Sequence, residues 1–309
     1  MTEKEENREL AMQAAKQYRQ SVPGLKEGRK RAAMQRTTGT RFSIPREGLK
    51  PVQTLLYRPL AQTSKDRLPV LFNMHGGAWL GGDAVLMESF CQMMADELPA
   101  FVVNVNYTKA DEEPLPYATR EVADAVKYFA DHAVEYGIDE RRMAVGGHSA
   151  GAQLAATAAL LLKDEGIRLA CQMLVYPPTD LTYDPDHLLP EDGLKLFLFP
   201  DGGGGHKYIS PLKAGDEELM GVCPAIFIIC GKDELKPEGI AYAKRLMDVS
   251  VTVKVKEYPQ ALHGFLEVNR PDYPAEDERR TPEQEAYCRD CEKYLVQEIR
   301  ACFREICGG

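Results

Sequence analysis

The chain has 309 residues, 44% of them hydrophobic and 28% charged, which is the composition of an ordinary soluble protein. Its formal net charge of −9 argues against nucleic acid and anionic membrane surfaces as main partners. The N-terminus is too polar for a secretory signal, and no apolar stretch approaches the ~20 residues of a membrane span. We therefore expect a cytoplasmic protein that acts on a small molecule, and a homo-oligomer is compatible with this composition.

Strands and helices alternate along most of the chain. Helical composition at residues 3–20 and 25–36 precedes one or two strands between residues 38 and 59. Further strands are predicted over residues 69–74, 101–106, 143–146, 172–176, 224–230 and 251–256, and further helices near 85–97, 119–136, from 152 onward and 283–306. The alternation predicts an α/β fold in which helices cover both faces of a mostly parallel sheet. We expect one domain over residues 1–309.

The strand predicted over residues 69–74 ends in His75, Gly76 and Gly77. Two glycines at this point let backbone N–H groups approach a ligand without obstruction by side chains. Acyl transfer requires such donors, because the tetrahedral intermediate carries a negative charge on the former carbonyl oxygen. We expect Gly76 and Gly77 to supply an oxyanion hole together with the N–H of Ala150. The alternative is an ordinary glycine turn.

Residues 147–151 read Gly-His-Ser-Ala-Gly and lie between the strand 143–146 and a helix rich in alanine and leucine. A Gly-x-Ser-x-Gly string in this setting is typical of a nucleophile elbow. The turn is so tight that the neighbours of the serine must be small. It exposes the hydroxyl of Ser149 at the head of a helix dipole, which favours developing negative charge.

A serine hydroxyl needs a base to accept its proton and an acid to orient that base. His263 follows the alternating strand 251–256 and lies in a loop, where catalytic side chains usually sit on an open parallel sheet. His148 adjoins Ser149, but neighbouring side chains at a strand end point to opposite faces. His75 is expected to brace the glycine turn. The other histidines fall in a helix or in a loop-rich insertion: His132, His187 and His206.

The acid should lie between the serine and the histidine, because the elbow arrangement uses that order along the chain. Asp233 follows the unbroken apolar run 224–230, which predicts a strand covered on both faces. We assign the orienting acid to Asp233. Three other carboxylates remain as alternatives: Glu234, Glu238 and Asp180. The competing structural explanation makes Asp233 the N-cap of a helix that begins near Pro237.

Together these pieces resemble the hormone-sensitive-lipase branch of the α/β-hydrolases, which includes many bacterial esterases. The matching strings are His-Gly-Gly-Ala-Trp at 75–79, Gly-His-Ser-Ala-Gly at 147–151, Asp-Glu-Leu at 233–235 and His-Gly-Phe at 263–265. The resemblance runs from about residue 50 to residue 266. It implies an α/β-hydrolase fold with a small helical cap, which we place at residues 1–40 and 181–208. It implies no metal and no organic cofactor.

The resemblance implies a serine carboxylester hydrolase for small-to-medium acyl esters, with Ser149 as nucleophile, His263 as base and Asp233 as orienting acid. The chain departs from the family pattern in two places. Ala78 stands where the family usually has a third glycine, which is tolerable if its φ is negative. His148 stands where the elbow commonly has aspartate, and this puts in doubt how the base of the elbow is hydrogen-bonded.

Two other functions compete with ester hydrolysis. An amide or formamide hydrolase would use the same triad, because His-Gly-Gly-x-Trp also resembles the arylformamidases. A non-catalytic receptor of small molecules, like the plant gibberellin receptor, would use the same scaffold with an altered histidine position. The intact His263 argues against the receptor.

The stretch 181–208 interrupts the alternation of strands and helices. It combines an apolar segment with four consecutive glycines at residues 202–205. This composition suits a movable lid that contacts an acyl chain. The alternative is a surface excursion with no role in binding.

Eight cysteines raise the question of disulfides or metal. Four of them belong to one helical pattern that runs from about residue 283 to residue 306, the last of them directly at its end: Cys288, Cys291, Cys302 and Cys307. Ligands spread along a continuous helix cannot converge on one tetrahedral zinc ion, because the outer pair would lie ~28 Å apart. We therefore expect free thiols in a reducing compartment.

Overall fold

The computed structural model describes residues 2–61, 67–270, 273 and 276–306, and these form an eight-stranded sheet flanked by helices. The strands are β1 (Thr40–Ile44), β2 (Val52–Tyr57), β3 (Leu68–Met74), β4 (Phe101–Asn106), β5 (Ile138–His148), β6 (Cys171–Val175), β7 (Ala225–Cys230) and β8 (Val253–Tyr258). The helices are α1 (Glu3–Ala33), α2 (Glu88–Glu97), α3 (Tyr117–Asp131), α4 (Ala133–Tyr136), α5 (Ala150–Asp164), α6 (Gly193–Leu198), α7 (Asp216–Leu219), α8 (Lys236–Asp248), α9 (Phe265–Val268) and α10 (Pro282–Glu305).

The sheet has the order β1-β2-β4-β3-β5-β6-β7-β8. β2 runs antiparallel to both of its neighbours, and the strands from β4 to β8 pair in parallel. β3 shows why the central strands are unbroken apolar runs: Val70 and Phe72 pack into one core, and Leu71 packs into the other. The predicted α/β fold with a mostly parallel sheet is confirmed.

Helices cover both faces of the sheet and gather the strand ends at one edge. α3, α5 and α8 pack on one face, whereas α2, α9 and α10 pack on the other. α5 is buried on nearly all sides, which explains its alanine- and leucine-rich composition. The parallel strands present their carboxyl ends at one edge, so the segments that follow β3, β5, β7 and β8 lie close together.

The N-terminal region forms one helix, whereas the sequence predicted two helical segments at 3–20 and 25–36. α1 continues through Pro23, although a proline inside a helix removes one N–H donor. Packing against α6 helps to hold it in place, and a Cβ built on Gly193 would lie 2.4 Å from the Cβ of Ala14. Tertiary contact therefore overrides the local break that the proline predicts.

Residues 181–208 contain α6 and two single 3₁₀ turns. A Cβ on Gly204 would lie 2.2 Å from the carbonyl oxygen of Leu181, so close approach of two backbone segments demands glycine there. The hydroxyl of Ser210 joins the same segments, because it donates to the Gly204 carbonyl and accepts the N–H of Leu181, each at 2.7 Å. The assignment of residues 1–40 and 181–208 to a cap stays a prediction.

α1 and α10 are the long helices, with 31 and 24 residues. α10 buries a stripe that includes Leu295 and Ile299 and exposes charged side chains on its other side. In the described part of the chain, no helix combines the length and the apolar character that crossing a membrane requires.

Candidate active site

Ser149 lies in the turn between β5 and α5, with φ +52° and ψ −119°. Such a backbone costs a residue with a side chain about 1–3 kcal/mol, so the surroundings must enforce it. A Cβ on Gly147 would lie 2.3 Å from the carbonyl oxygen of Gly151, and a Cβ on Gly151 would lie 2.2 Å from that of Met74. The N–H of Ser149 donates to Val175 at 2.9 Å. This is the tight strand-turn-helix connection that the sequence predicts.

The side chains of Ser149, His263 and Asp233 form one hydrogen-bonded chain. His263 Nε2 lies 2.8 Å from Ser149 Oγ, and His263 Nδ1 lies 2.6 Å from Asp233 Oδ2. The Asp233 side chain is only 6% exposed, whereas that of His263 is 36% exposed. With Nδ1–H held by the carboxylate, Nε2 is left to accept the hydroxyl proton.

A second contact holds the Asp233 carboxylate. Its Oδ1 accepts the N–H of Leu235 at 3.0 Å and closes a short turn after β7. α8 begins at Lys236 with no side-chain cap, so the explanation of Asp233 as the N-cap of that helix is wrong. One carboxylate oxygen is therefore bound to backbone and the other to His263.

Among the described residues, the three alternative carboxylates form no hydrogen bond with His263 and have other surroundings. Glu238 accepts the N–H groups of Thr179 at 3.0 Å and Asp180 at 2.6 Å, and burial raises the pKa of Glu238 to about 7. Asp180 forms an ion pair with Lys213 at 2.9 Å. Glu234 is exposed. Of the four candidates, Asp233 is the one that the structure places against His263.

The loop that follows β3, residues 75–82, forms a tight turn and is called the glycine loop below. The carbonyl of Gly77 accepts the N–H groups of Leu80 at 3.0 Å and Gly81 at 2.8 Å. Gly77 has φ +121°, and a Cβ there would lie 2.5 Å from the Gly81 carbonyl oxygen. Only glycine fits this position.

The structure brings the three predicted oxyanion donors to the same edge of the sheet. Gly76 and Gly77 line the cavity that contains Ser149, and Ala150 is the first residue of α5. Within the described residues, no acceptor meets the N–H groups of Gly76, Gly77 or Ala150. These donors are thus available to a ligand beside Ser149 Oγ.

The condition under which the sequence makes Ala78 tolerable, a negative φ, is not met in the structure. Ala78 has φ +51° and Trp79 has φ +59°, so two successive residues with side chains are left-handed. The indole Nε1–H of Trp79 donates to Gln153 Oε1 at 2.8 Å in a buried contact, and the carbonyl of Trp79 accepts the N–H of Ala110 at 2.9 Å. Anchoring of the large Trp79 side chain offsets the unfavourable backbone of the loop.

Comparison with known proteins agrees with this architecture. The sequence pattern of a family described as having the alpha/beta hydrolase fold matches residues 71–267, which is more than half of the chain. The chain belongs to the α/β-hydrolase family. It falls in the hormone-sensitive-lipase-like branch that the resemblance indicated.

Its relatives within this α/β-hydrolase family include esterases. Carboxylesterase NlhH of Mycobacterium tuberculosis is 30% identical over 234 residues, covering 71% of this chain and 73% of that protein. Carboxylic ester hydrolase LipN of the same species is 31% identical over 229 residues, covering 68% of this chain and 60% of LipN. An esterase from Pyrobaculum calidifontis superposes with a TM-score of 0.73 at 27% identity, covering 94% of this chain and 93% of that one. The chain is a carboxylesterase-like hydrolase.

His75 braces the glycine loop of this hydrolase. Its Nδ1 lies 2.6 Å from the Gly76 carbonyl oxygen, and its Nε2 lies 3.3 Å from Asn106 Oδ1. The ring stacks on Tyr107 at a centroid distance of 4.4 Å. Burial and the nearby Lys109 ammonium hold the pKa of His75 well below its usual value. The ring is therefore neutral, and its Nδ1–H can donate to the carbonyl beside the predicted donors.

His148 lies in the core beneath the elbow. Its ring packs edge-on against Phe90 and Tyr176, at centroid distances of 4.8 and 6.4 Å. Neither ring nitrogen meets a hydrogen-bond partner among the described residues, and the carboxylate of Glu267 approaches Nδ1 to 4.0 Å. Burial lowers the pKa of His148 to about 4. A neutral imidazole thus occupies the place where the family commonly has aspartate.

A cavity of about 400 Å³ opens over Ser149 and His263. It is lined mainly by the glycine loop, the 3₁₀ turn Ala84–Met87, α9 and the segment that leads to α10. Its apolar wall includes Leu86, Met87 and Val268. The residues described as lining it include none from 181–208, the stretch in which the sequence predicts a lid.

Sequence reasoning missed two charged side chains that line the cavity, Glu267 and Arg279. Glu267 lies on the short helix α9, which begins two residues after His263, so recognition of that helix would have placed Glu267 near the site. Arg279 reaches the site from a long connection. Its Nη1 donates to the carbonyl of His263 at 2.7 Å. Local pattern gives no signal for that contact.

In the described part of the chain, no cluster of three or more histidine, cysteine, aspartate or glutamate residues could hold a metal ion. Cys288, Cys291 and Cys302 on the continuous helix α10 are free thiols. Cys307 lies outside the described residues.

Proposed function

We propose that this hydrolase is a serine carboxylesterase that acts on small-to-medium acyl esters through an acyl-enzyme. The observation that carries the proposal is the hydrogen-bonded chain from Ser149 Oγ through His263 to Asp233, with links of 2.8 and 2.6 Å. The strained backbone of Ser149 supports it, because such strain at an exposed nucleophile is typical of a functional site.

In the proposed mechanism, Ser149 Oγ attacks the ester carbonyl while His263 Nε2 takes the hydroxyl proton. Negative charge then develops on the former carbonyl oxygen, and the N–H groups of Gly76, Gly77 and Ala150 donate to it. His263 returns the proton to the departing alcohol. Water then attacks the acyl-enzyme while His263 takes its proton, and the acid is released.

Asp233 acts by orienting the imidazole. Its carboxylate holds Nδ1–H, which leaves Nε2 unprotonated for the serine, and it stabilises the imidazolium that forms. The same contact argues against the receptor alternative, because a receptor has no need for a base within hydrogen-bond distance of the serine. A cavity of about 400 Å³ favours esters of limited size.

The first test measures hydrolysis of nitrophenyl esters from acetyl to dodecanoyl by the wild type and Ser149→Ala. We expect a maximum at short or medium chain length and a loss of at least about 10³-fold in kcat/KM for the variant. Exposed Ser43 on β1 provides the control, and Ser43→Ala should match the wild type. Labelling by an organophosphate, located by mass spectrometry, should fall on Ser149.

A matched amide in the same assay separates ester from amide hydrolysis. We expect the ester to react at least about tenfold faster, since the amine released from an amide is a poorer leaving group than the alcohol released from an ester. An amide that reacts as fast as the ester would favour the amide or formamide hydrolase. If the wild type is silent on esters and amides alike and takes no organophosphate label, the proposed function is wrong.

A further inference from the structure

Glu267 places an ionisable carboxylate in the cavity beside the proposed catalytic groups. It lies on α9 and lines the same cavity as Ser149 and His263. Its Oε1 would lie 3.1 Å from a Cβ built on Gly76, so it adjoins the backbone that supplies the predicted oxyanion donors. The side chain is 16% exposed, which leaves part of the carboxylate facing the cavity.

Two neutral groups lie beside the Glu267 carboxylate in the described part of the chain, a tyrosine hydroxyl and an imidazole ring. The hydroxyl of Tyr176 donates to Oε2. Burial raises the pKa of Tyr176, so this hydroxyl keeps its proton and stabilises an ionised carboxylate. His148 Nδ1 lies 4.0 Å from Oε1, and its ring is neutral near pH 7 because burial lowers its pKa to about 4. Neither neighbour balances a negative charge.

Arg279 also lines the cavity, and its guanidinium is already hydrogen-bonded to other groups. Its Nε and Nη2 donate to the carboxylate of Asp277 at 2.7 and 2.6 Å, and its Nη1 donates to the carbonyl of His263. Over the described residues, no lysine or arginine comes within ion-pair distance of the Glu267 carboxylate. Hydrogen bonds to Asp277 contribute most to the raised pKa of Arg279, and electrostatic attraction between Glu267 and Arg279 adds to it, but the guanidinium forms its ion pair with Asp277. The cavity therefore holds a carboxylate without an ion-pair partner of its own among the described residues.

A carboxylate without an ion-pair partner at this place has a defined effect on ester hydrolysis. The transition state develops an oxyanion within reach of the same loop, and like charges at short range in a partly dry cavity oppose one another. A neutral ester must therefore react against this repulsion. A positive charge on the substrate would pair with the carboxylate and remove the repulsion in the same step.

We propose that Glu267 is a specificity-determining residue that selects esters carrying a cationic ammonium group. This inference rests on the proposed ester hydrolysis. The recognition is electrostatic and acts on a positive group in the alcohol or in the acyl part. It predicts that a cationic ester is hydrolysed faster than a neutral ester of the same shape.

The experiment uses two pairs of esters of the same shape. In each pair, one member carries a quaternary nitrogen and the other has carbon in its place. The first pair is acetylcholine and its neutral carbon analogue, which places the charge on the alcohol. The second pair carries a trimethylammonium group or a tert-butyl group at the end of the same acyl chain. We expect the wild type to prefer the cationic member of at least one pair, and Glu267→Gln to lower that preference by about tenfold.

Glu278→Gln is the matched control, because Glu278 is an exposed carboxylate outside the cavity and the substitution removes the same charge. It should leave the preference unchanged. A merely structural role of Glu267 would lower kcat for cationic and neutral esters alike and leave their ratio intact, which would overturn the proposal. If the glutamine variant does not fold, added salt should reduce the preference in the wild type. A preference for the cationic ester that does not change with salt would contradict the proposal.

Binding distinguishes this inference from the proposed function. Isothermal titration calorimetry measures binding to the intact protein without any turnover. Choline should bind more tightly than its neutral carbon analogue, and Glu267→Gln should abolish the difference. Failure of all ester hydrolysis with this difference present would reject the esterase alone. Hydrolysis of neutral esters with equal binding of both alcohols would reject the cation selectivity alone.

Discussion

The elbow and the glycine loop both hold residues with side chains in left-handed backbone, but different contacts enforce the two conformations. Around Ser149 the constraint is backbone against backbone, with the Cβ positions of Gly147 and Gly151 only 2.3 and 2.2 Å from carbonyl oxygens. Around Ala78 and Trp79 it comes largely from side chains of distant residues.

The supports of the glycine loop span the sequence. Trp79 is bound to Gln153 on α5, and His75 contacts Asn106, whose amide in turn donates to Asp83 at 2.9 Å. Constraints of the first kind leave a short motif in the sequence, because they act between neighbours. Constraints of the second kind join residues far apart in the sequence, so the two loops should also differ in how they tolerate substitution.

The largest expected effect is that of Gly147→Ala, which tests the backbone constraint of the elbow. The new Cβ would lie 2.3 Å from Gly151 O and 2.8 Å from Met74 O, and neither main chain can withdraw. We expect a loss of more than about 3 kcal/mol in the free energy of unfolding, together with loss of activity. Urea denaturation measures the first and ester hydrolysis the second.

Gly24→Ala is its control, since Gly24 lies in α1 with no atom within 4 Å of a built Cβ. Alanine should stabilise that helix by up to about 1 kcal/mol. A Gly147→Ala variant as stable and active as the wild type would contradict the comparison, because it would show that the elbow backbone can relax.

The next effect concerns His148, which supports the elbow without hydrogen bonds to its ring. Its pKa is about 4 in the folded protein against 6.5 as the ordinary value. The unfolded chain therefore binds more protons between these pH values. The contribution of the neutral His148 ring to the free energy of unfolding is fully present above pH 6.5. It is lost as the pH falls toward 4, by up to about 3 kcal/mol in all.

His148→Leu removes this titration while keeping an apolar side chain in the core. The wild type should therefore lose up to about 3 kcal/mol more than the variant between pH 7 and pH 4, as measured by urea denaturation. Exposed His187 gives the control, and His187→Asn should follow the wild type within about 0.5 kcal/mol. Parallel curves for the wild type and His148→Leu would show that the ring already exchanges protons with solvent.

The sequence predicted those parts of the molecule that depend on residues close together along the chain. Strand periodicity indicated the α/β sheet, and the run at 147–151 indicated the turn that holds Ser149. The position of Asp233 after β7 and of His263 after β8 brought them to the same edge, because parallel strands share that edge. Hydrogen bonds of 2.6 and 2.8 Å then join all three.

Three features could not be predicted from the sequence. Two depend on contacts beyond the local pattern, and the third depends on a very short helix. α1 continues through Pro23, and its packing against α6 comes from a segment more than a hundred residues further on. The left-handed Ala78 depends on contacts of its neighbour Trp79. The charge of Glu267 in the cavity depends on the short helix α9, whose four residues are too few for a periodic pattern.

The smallest expected effect is that of Ala78→Gly, which tests whether side chains hold the glycine loop. Glycine removes the cost of a left-handed alanine, roughly 1 kcal/mol, but adds about 0.4–1 kcal/mol of backbone entropy in the unfolded state. The two nearly cancel, so stability should change by less than about 1 kcal/mol. If Trp79 and His75 hold the loop, the donors stay in place and kcat/KM should change by less than about threefold. A large fall in kcat at unchanged stability would mean that the Ala78 methyl group itself keeps Gly76 and Gly77 aimed at the oxyanion. The glycine loop would then be constrained locally, as the elbow is, and the contrast between the two loops would disappear.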